Sequence, residues 1–311
     1  MRPAWSLIFF TTLSGLGLGL AALIGLGLFA GSRDSAFTML AGHGLALVLT
    51  GAGLVSSLMH LGHPERAWRA LSQWRSSWLS REGVLAAITL FVLFLHGVAI
   101  YAGIAATWLG YLLALLALAT VWSTAMIYAS LKTVARWHHP LTPWCYLLLA
   151  VAGGLVLGHM LNQFIPARDQ SAELMAQSLV MPAMLSLLLA AAVKTVWWIK
   201  AGAAGSGTSP EQATGLGQLG KVRLLMPPHT EENWLQQEMG FRIARRHARK
   251  LARLALLLGL FVPLLLLVLN PLNGLLMVVV ACLHTLGVMT ERWLFFAEAR
   301  HTVTLYYGDR H

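Results

Sequence analysis

The sequence predicts an all-α, polytopic membrane protein with eight transmembrane helices and both termini in the cytoplasm. Three observations lead there. Of 311 residues, 57% are hydrophobic and only 11% charged, with a mean hydropathy of +0.67, which is too apolar for a soluble chain of this length. The apolar residues gather into eight runs of about 20, the length at which one helix crosses a bilayer with every backbone polar group satisfied internally. If those runs alternate in direction, 20 of the 22 Lys and Arg fall on one side, leaving only Arg33 and Arg168 on the other. Dropping one span would scramble that division, so the count of eight and the positive-inside rule support each other.

The spans are placed near 5–31, 36–61, 83–105, 107–131, 142–165, 176–199, 254–270 and 272–296, within a single integral domain of residues 1–311. The first run, Pro3 to Ser32, carries no charge, outlasts a signal-peptide core and is preceded only by Arg2. It is therefore read as a retained span. Spans one and two are dense in glycine (Gly15, Gly17, Gly19, Gly25, Gly27, then Gly42, Gly44, Gly51, Gly53), and small residues let helices approach closely in lipid. The seventh span is short and ends in a tight turn at Asn270-Pro271. The long loop 201–253 divides into a Gly/Ser-rich linker, Ala201 to Gly220, and a strongly basic stretch ending FRIARRHARKLAR. The bland reading of the basic stretch is a stop-transfer cluster, and the sharper one a docking surface for a soluble partner.

Several functions are set aside by composition and context. A net charge of +10 does not call for nucleic acid here, because the basic residues sit between apolar runs and orient the chain in its membrane. Cys145 and Cys282 lie in apolar runs and form neither a disulfide framework nor a CxxC motif. Gly215-Leu-Gly217-Gln-Leu-Gly220 matches GxGxxG in form only, since no strand precedes it and no βαβ unit surrounds it.

The stretch Met59 to Glu82, MHLGHPERAWRALSQWRSSWLSRE, carries the chemistry. It places His60 and Glu82 where a bilayer meets water, and ionisable groups at such depth are functional candidates by default. Between them, Trp68, Leu71, Trp74, Trp78 and Leu79 share one arc of a helical wheel with Arg75, while Arg69, Ser72, Gln73, Ser76 and Ser77 share the other. That pattern suits a helix lying in the interface, with Arg75 snorkelling toward phosphates. A lipid-soluble quinone needs an apolar approach, hydrogen-bond partners for its ring oxygens, and a group that exchanges protons with water. His60 and Glu82 supply the last of these. The bland alternative makes them helix-end caps, with Arg66 and Arg81 neutralising Glu82.

Five histidines, His43, His60, His96, His159 and His284, lie in or at the ends of spans. A haem b needs two facing imidazoles. His43 and His60, 17 residues apart and so about 25 Å along a helix, cannot serve one haem. Pairs such as His96 with His159 stay open, as does the plainer role of helix-bridging hydrogen bonder. A transporter is the remaining alternative, but the charges cluster at one edge and no pair of broken helices repeats between halves.

At these residues the chain resembles the DmsC-type membrane anchors of dimethyl sulfoxide reductase and related complexes. The resemblance rests on Met59-His60-Leu61-Gly62, Pro64, Arg66-Ala67, Ser80 and Glu82, and on Arg292-Trp293-Leu294-Phe295-Phe296 near the C-terminus. With eight spans over about 300 residues, it covers nearly the whole chain. It implies a three-subunit complex in the inner membrane of a bacterium, with a molybdopterin catalytic subunit and an iron–sulfur subunit as partners. The anchor would exchange electrons with quinone, menaquinone or ubiquinone, and bind no haem or other cofactor of its own. Carried over to this chain, His60 and Glu82 match the quinone-site positions, with Arg66 and Arg81 as local support. Two departures, the long basic loop before span seven and the tail AEARHTVTLYYGDR, make the chain more similar to the anchors of cytoplasmic sulfite-oxidising complexes, which would reduce quinone and take up protons.

Overall fold

A computed structural model describes residues 3–29, 36–59, 61–164, 174, 177–203, 208–226 and 243–307. Among them, eight helices are long and apolar enough to cross a membrane. We number these α1 (Trp5–Gly25), α2 (Ala36–Leu58), α3 (Trp78–Tyr101), α4 (Thr107–Ala129), α5 (Leu141–Phe164) and α6 (Val180–Ala203). Next, α7 runs Ile243–Leu256, through a π-helical turn at Leu257–Phe261, into Val262–Leu269, and α8 is Gly274–Ala297.

Side-chain contacts fix the alternation that hydropathy could only assume. Ser56 Oγ, late in α2, donates to the Ser6 carbonyl early in α1 at 2.9 Å. Thr89 in the first half of α3 meets Thr120 in the second half of α4 at 3.0 Å. Trp197 near the end of α6 donates to Thr142 near the start of α5 at 3.0 Å. Trp137, in the α4–α5 connection, donates to the Phe295 carbonyl at the end of α8 at 2.9 Å. The starts of α1, α3, α5 and α7 and the ends of α2, α4, α6 and α8 thus share one face, called here the N-terminal face.

Helix α1 is the axis of the bundle, packing on α2, α4, α5 and α8. Its glycines explain how. A methyl group at Gly19 would sit 1.8 Å from the Ala150 carbonyl oxygen, and one at Gly154 would sit 2.2 Å from the Gly19 backbone. The α1 and α5 backbones therefore touch, which only small residues permit. The packing role expected for the glycines holds at Gly17, Gly19, Gly25, Gly42 and Gly53, whereas a methyl group at Gly15, Gly27, Gly44 or Gly51 would meet nothing within 4 Å, Gly27 instead taking a left-handed φ of +68° after α1.

The seventh span is longer than expected, because the amphipathic basic segment before it is continuous helix. Its π-turn has a local cause. Pro263 has no N–H to offer the Gly259 carbonyl one turn back, and His284 of α8 supplies Nδ1 to that oxygen at 2.6 Å. Gly259 also faces Gly287 so closely that a methyl group at Gly287 would sit 2.1 Å from the Gly259 backbone. A neighbouring helix that makes good a freed carbonyl is how proline is tolerated in a span.

Two further differences concern the N-terminal face. Helix α3 begins at Trp78 rather than near 83, because Ser77 caps it, accepting from the Ser80 N–H at 3.5 Å. The expected interfacial α-helix before it is a 3-10 helix, Pro64–Gln73. Trp68 (67% exposed) and Trp74 (54%) point outward, while Leu71 lies against Gly83 and Ser80 Oγ bonds the Ala70 carbonyl. Within the linker, Pro210–Thr214 is a capped helical turn ended by Gly215 in the left-handed region, φ +70°. The first glycine of the GxGxxG string is thus a helix stop. That turn also touches the tail, Tyr306 Oη donating to the Ala213 carbonyl at 2.9 Å.

Candidate functional site

Because Ser77 starts α3 early, Glu82 lies more than a turn inside the helix rather than at its mouth. It is 4% exposed and faces the bundle. Thr124 Oγ1 of α4 donates to Glu82 Oε1 at 2.5 Å and has the Thr120 carbonyl 3.1 Å away as a second acceptor. One hydroxyl proton with two acceptors suits an acid that changes state. The ionised carboxylate accepts from Thr124. The protonated acid can donate to Thr124, whose own proton then turns to Thr120. Among the described residues, no basic side chain reaches Glu82.

The other residues singled out from the sequence fall elsewhere. Arg81 points away from Glu82 and ties down the preceding turn, its Nε donating to the Trp74 carbonyl at 3.0 Å and Nη2 to the Arg75 carbonyl at 2.7 Å. Its guanidinium lies 4.4 Å from the Trp78 ring centroid. Arg66 is exposed beside Glu65 at 3.8 Å, a surface pair that contributes little. His60 lies outside the described residues. The 3-10 helix that carries Arg66 packs on the start of α3, so Arg66, Arg81 and Glu82 share one face of the molecule without sharing a contact.

Sequence reasoning missed a second cluster at the same depth. Lys194 of α6 and Glu291 of α8 form a buried ion pair, and Arg292 Nη1 lies 3.2 Å from the other oxygen of Glu291. Lys194, Glu291 and Arg292 are 1%, 3% and 2% exposed. Aromatic rings enclose them. The Lys194 ammonium sits 3.6 Å from the Trp197 centroid and the Arg292 guanidinium 3.5 Å from that of Tyr146. The signal is present in AAAVKTVWW and VMTERWLFF, charges embedded in apolar runs, but a count of charges by side assigns Lys194 and Arg292 to the loops. Just outside the span, Arg136 pairs with Glu298 at 2.5 Å. Burial raises the Glu298 carboxyl above its ordinary value, with Arg136 acting against that shift.

Arg292, Tyr146 and Thr124 line one narrow crevice with Thr12, Ser14 and Gly15 of α1, between α1, α4, α5 and α8, with a volume of about 10 Å³, room for about one water. Glu82 therefore stands one hydroxyl away from this crevice.

His43, His96, His159 and His284 act as bridges between elements. His43 Nε2 and His96 Nδ1 are 2.9 Å apart, joining α2 to α3 near the opposite face with stacked rings. His159 Nε2 meets the Pro271 carbonyl at 2.7 Å, fixing the α7–α8 turn, and His284 holds Gly259. At hydrogen-bond distance, His43 and His96 leave no space for an iron between their nitrogens. His159 belongs to a different contact from His96.

Comparison with known sequences adds the following. Residues 1–204 match the family described as DMSO reductase anchor subunit (DmsC). The chain is 32% identical to the C subunit of sulfite dehydrogenase from Allochromatium vinosum over 99% of both sequences. It is 30% identical to the YnfH chain of anaerobic dimethyl sulfoxide reductase from Escherichia coli over 49% of this sequence and 55% of that one. It is 32% identical to the C chain of anaerobic dimethyl sulfoxide reductase from Escherichia coli over 37% and 41% respectively. Glu82 and Thr124 fall inside the family match, while Glu291 and Arg292 fall beyond it and within the longer alignment to the sulfite dehydrogenase relative.

Proposed function

The chain belongs to the family of DMSO reductase anchor subunits, and from that premise we propose that it is the quinone-reactive membrane anchor of a three-subunit complex. Its partners are a molybdopterin catalytic subunit and an iron–sulfur subunit, in the inner membrane of a bacterium. Electrons pass from the iron–sulfur subunit to quinone during sulfite oxidation. The observation that carries this reading is the full-length likeness to a sulfite dehydrogenase subunit, since the dimethyl sulfoxide reductase chains align over about half of this sequence or less. Glu82 with Thr124 supports the quinone half of the proposal, as a buried acid at the membrane edge whose partner accommodates both protonation states. The bridging histidines support an anchor that holds no haem. His60, Arg66 and Arg81 remain proposed members of the site's approach from the N-terminal face, which we place in the cytoplasm.

The second reading, quinol oxidation feeding a dimethyl sulfoxide reductase, draws on the family match itself. Purifying the complex through this chain separates the two. Co-purified molybdenum and iron, with sulfite-dependent reduction of a quinone, is the expected result. Quinol oxidation driven by dimethyl sulfoxide, with no response to sulfite, would favour the second reading. A purified chain with neither subunit would end both.

A further inference from the structure

Most exposed apolar side chains of this molecule lie on the spans, where lipid covers them. Off the spans, among the described residues, they gather in two places. One is the 3-10 helix Pro64–Gln73 with its tryptophans, and the other is the end of the linker, residues 215–226. The second group is the more exposed. Leu225 and Leu219, at 91% and 86%, are the most exposed large apolar side chains among the described residues, and Met226 beside them is 79% exposed. Apolar groups presented together in this way mark an interaction surface.

The segment that carries them is built rather than loose. Ser209 and Gln212 close a capping box on the helical turn Pro210–Thr214. The chain bends at Gly215 and Gly220, both at positive φ, and the Val222 N–H returns to donate to Glu211 Oε1 at 3.1 Å. This frame rests on the tail through Tyr306 and Ala213. The tail in turn rests on the bundle: the Thr302 N–H donates to the Thr133 carbonyl at 3.0 Å, and Thr304 and Leu305 are buried. The linker thus lies on the tail and the tail on the α4–α5 connection, which sets the apolar group beyond the helix ends of the N-terminal face. Composition points the same way. Residues 208–226 contain no Trp or Tyr, the side chains that hold a segment at headgroup level, whereas the 3-10 helix has both exposed tryptophans. Lys221 and Arg223 stand exposed beside the leucines, while the Glu211 carboxylate is turned to Val222. A surface that fits is an apolar groove edged with carboxylates.

We propose that residues 215–226 are a docking element for the iron–sulfur subunit, with Leu219, Leu225 and Met226 entering such a groove and Lys221 and Arg223 meeting acidic groups at its rim. The assignment rests on the proposed function and deepens it. On that reading the iron–sulfur subunit is the soluble partner that delivers electrons, so it has to stay against the face toward which Glu82 lies. The element falls beyond residue 204, where the family match ends, and within the longer alignment to the sulfite dehydrogenase relative. It adds a contact to those that residues 1–204 supply. A methionine at the tip suits the task, since its flexible thioether adapts to an irregular groove.

A photocrosslinking side chain, p-benzoylphenylalanine, in place of Leu225 or of Leu219 reads the neighbour directly. In the intact complex in native membranes, irradiation should join this chain to the iron–sulfur subunit. Adducts with phospholipid, with the molybdopterin subunit or with a second copy of this chain, or no adduct at either position, would overturn the docking element. A second arm combines Leu219→Ser, Leu225→Ser and Met226→Ser, which remove the apolar tip without opening a packed core. The melting temperature of the purified chain should stay unchanged, while the iron–sulfur subunit binds at least about tenfold more weakly, the effect of one truncated anchor residue. Undiminished binding in the triple variant would overturn the proposal as well. A wild-type complex that purifies without an iron–sulfur subunit would bring down the proposed function together with the docking element. A wild-type complex that holds the subunit but crosslinks elsewhere would overturn the docking element alone.

Discussion

Glu82 and Glu291 are both buried glutamates near the N-terminal face, and their surroundings divide their roles. Glu291 sits between Lys194 and Arg292, so its charge is fixed by two cations and its work is to hold α6 to α8. Glu82 has a hydroxyl as its partner, which suits exchange rather than cohesion. Breaking a buried ionic group by removing one member is severe, because it leaves uncompensated charge behind. Glu291→Leu strands two cations and should cost about 3–5 kcal/mol, read as a large drop in detergent melting temperature and in the yield of assembled protein. An unchanged melting temperature would mean that the pair does not hold the helices. At this scale the sequence is half legible. Glu82 stands out beside a break in hydropathy. Lys194 and Arg292 lie close enough to the ends of apolar runs to pass for loop charges, and only tertiary packing shows that they point inward.

Helices follow from the apolar runs, but their ends and irregularities follow from single side chains that a hydropathy average does not weigh. Hydropathy starts α3 after its last charge, whereas the Ser77 cap sets the start before Arg81 and Glu82. The residues expected to form one interfacial α-helix divide into a 3-10 helix and the first turn of α3. A helical wheel cannot foresee that break, since it assumes a continuous helix. The π-turn in α7 is similar. Pro263 is visible in the sequence, but His284, which bonds the carbonyl that Pro263 frees, is 21 positions away and on another helix. His284→Leu should therefore destabilise the protein by about 1–3 kcal/mol, the penalty for an unpaired buried carbonyl. Adding Pro263→Ala should restore part of the loss by returning an N–H to that turn. If the double variant melts no higher than His284→Leu alone, the coupling between proline, carbonyl and imidazole is wrong.

For the whole molecule, alternating spans and charge asymmetry are the most legible features, because both come from the bilayer as solvent rather than from particular contacts. Moving Lys194 and Arg292 from loops to helix interiors leaves the asymmetry in place, since Arg66, Arg69, Arg75, Lys132, Arg136 and the basic start of α7 all belong to the N-terminal face. We expect that face to be cytoplasmic. Alkaline phosphatase fused at His311 should be inactive and a cytoplasm-only fluorescent reporter active, and the reverse would turn the molecule over. Orientation bears on the proposed function, because on that reading the anchor holds no redox group of its own and would not carry electrons across a bilayer. The proposed quinone site would then lie on the face where the iron–sulfur subunit docks, and Glu82 and Thr124 lie toward the N-terminal face.

The central claim is that Glu82 exchanges protons for a quinone reduced at this face. Glu82→Gln tests it most directly, since the amide keeps the size of the side chain and a bond to Thr124 but can neither take up nor release the proton. In the purified complex, sulfite-dependent quinone reduction should fall by about 10²–10⁴-fold, the usual contribution of a positioned acid or base. Subunit content, melting temperature and dye-linked sulfite oxidation should stay at wild-type levels. Quinone reduction at wild-type rate in Glu82→Gln, with the complex intact, would contradict the account.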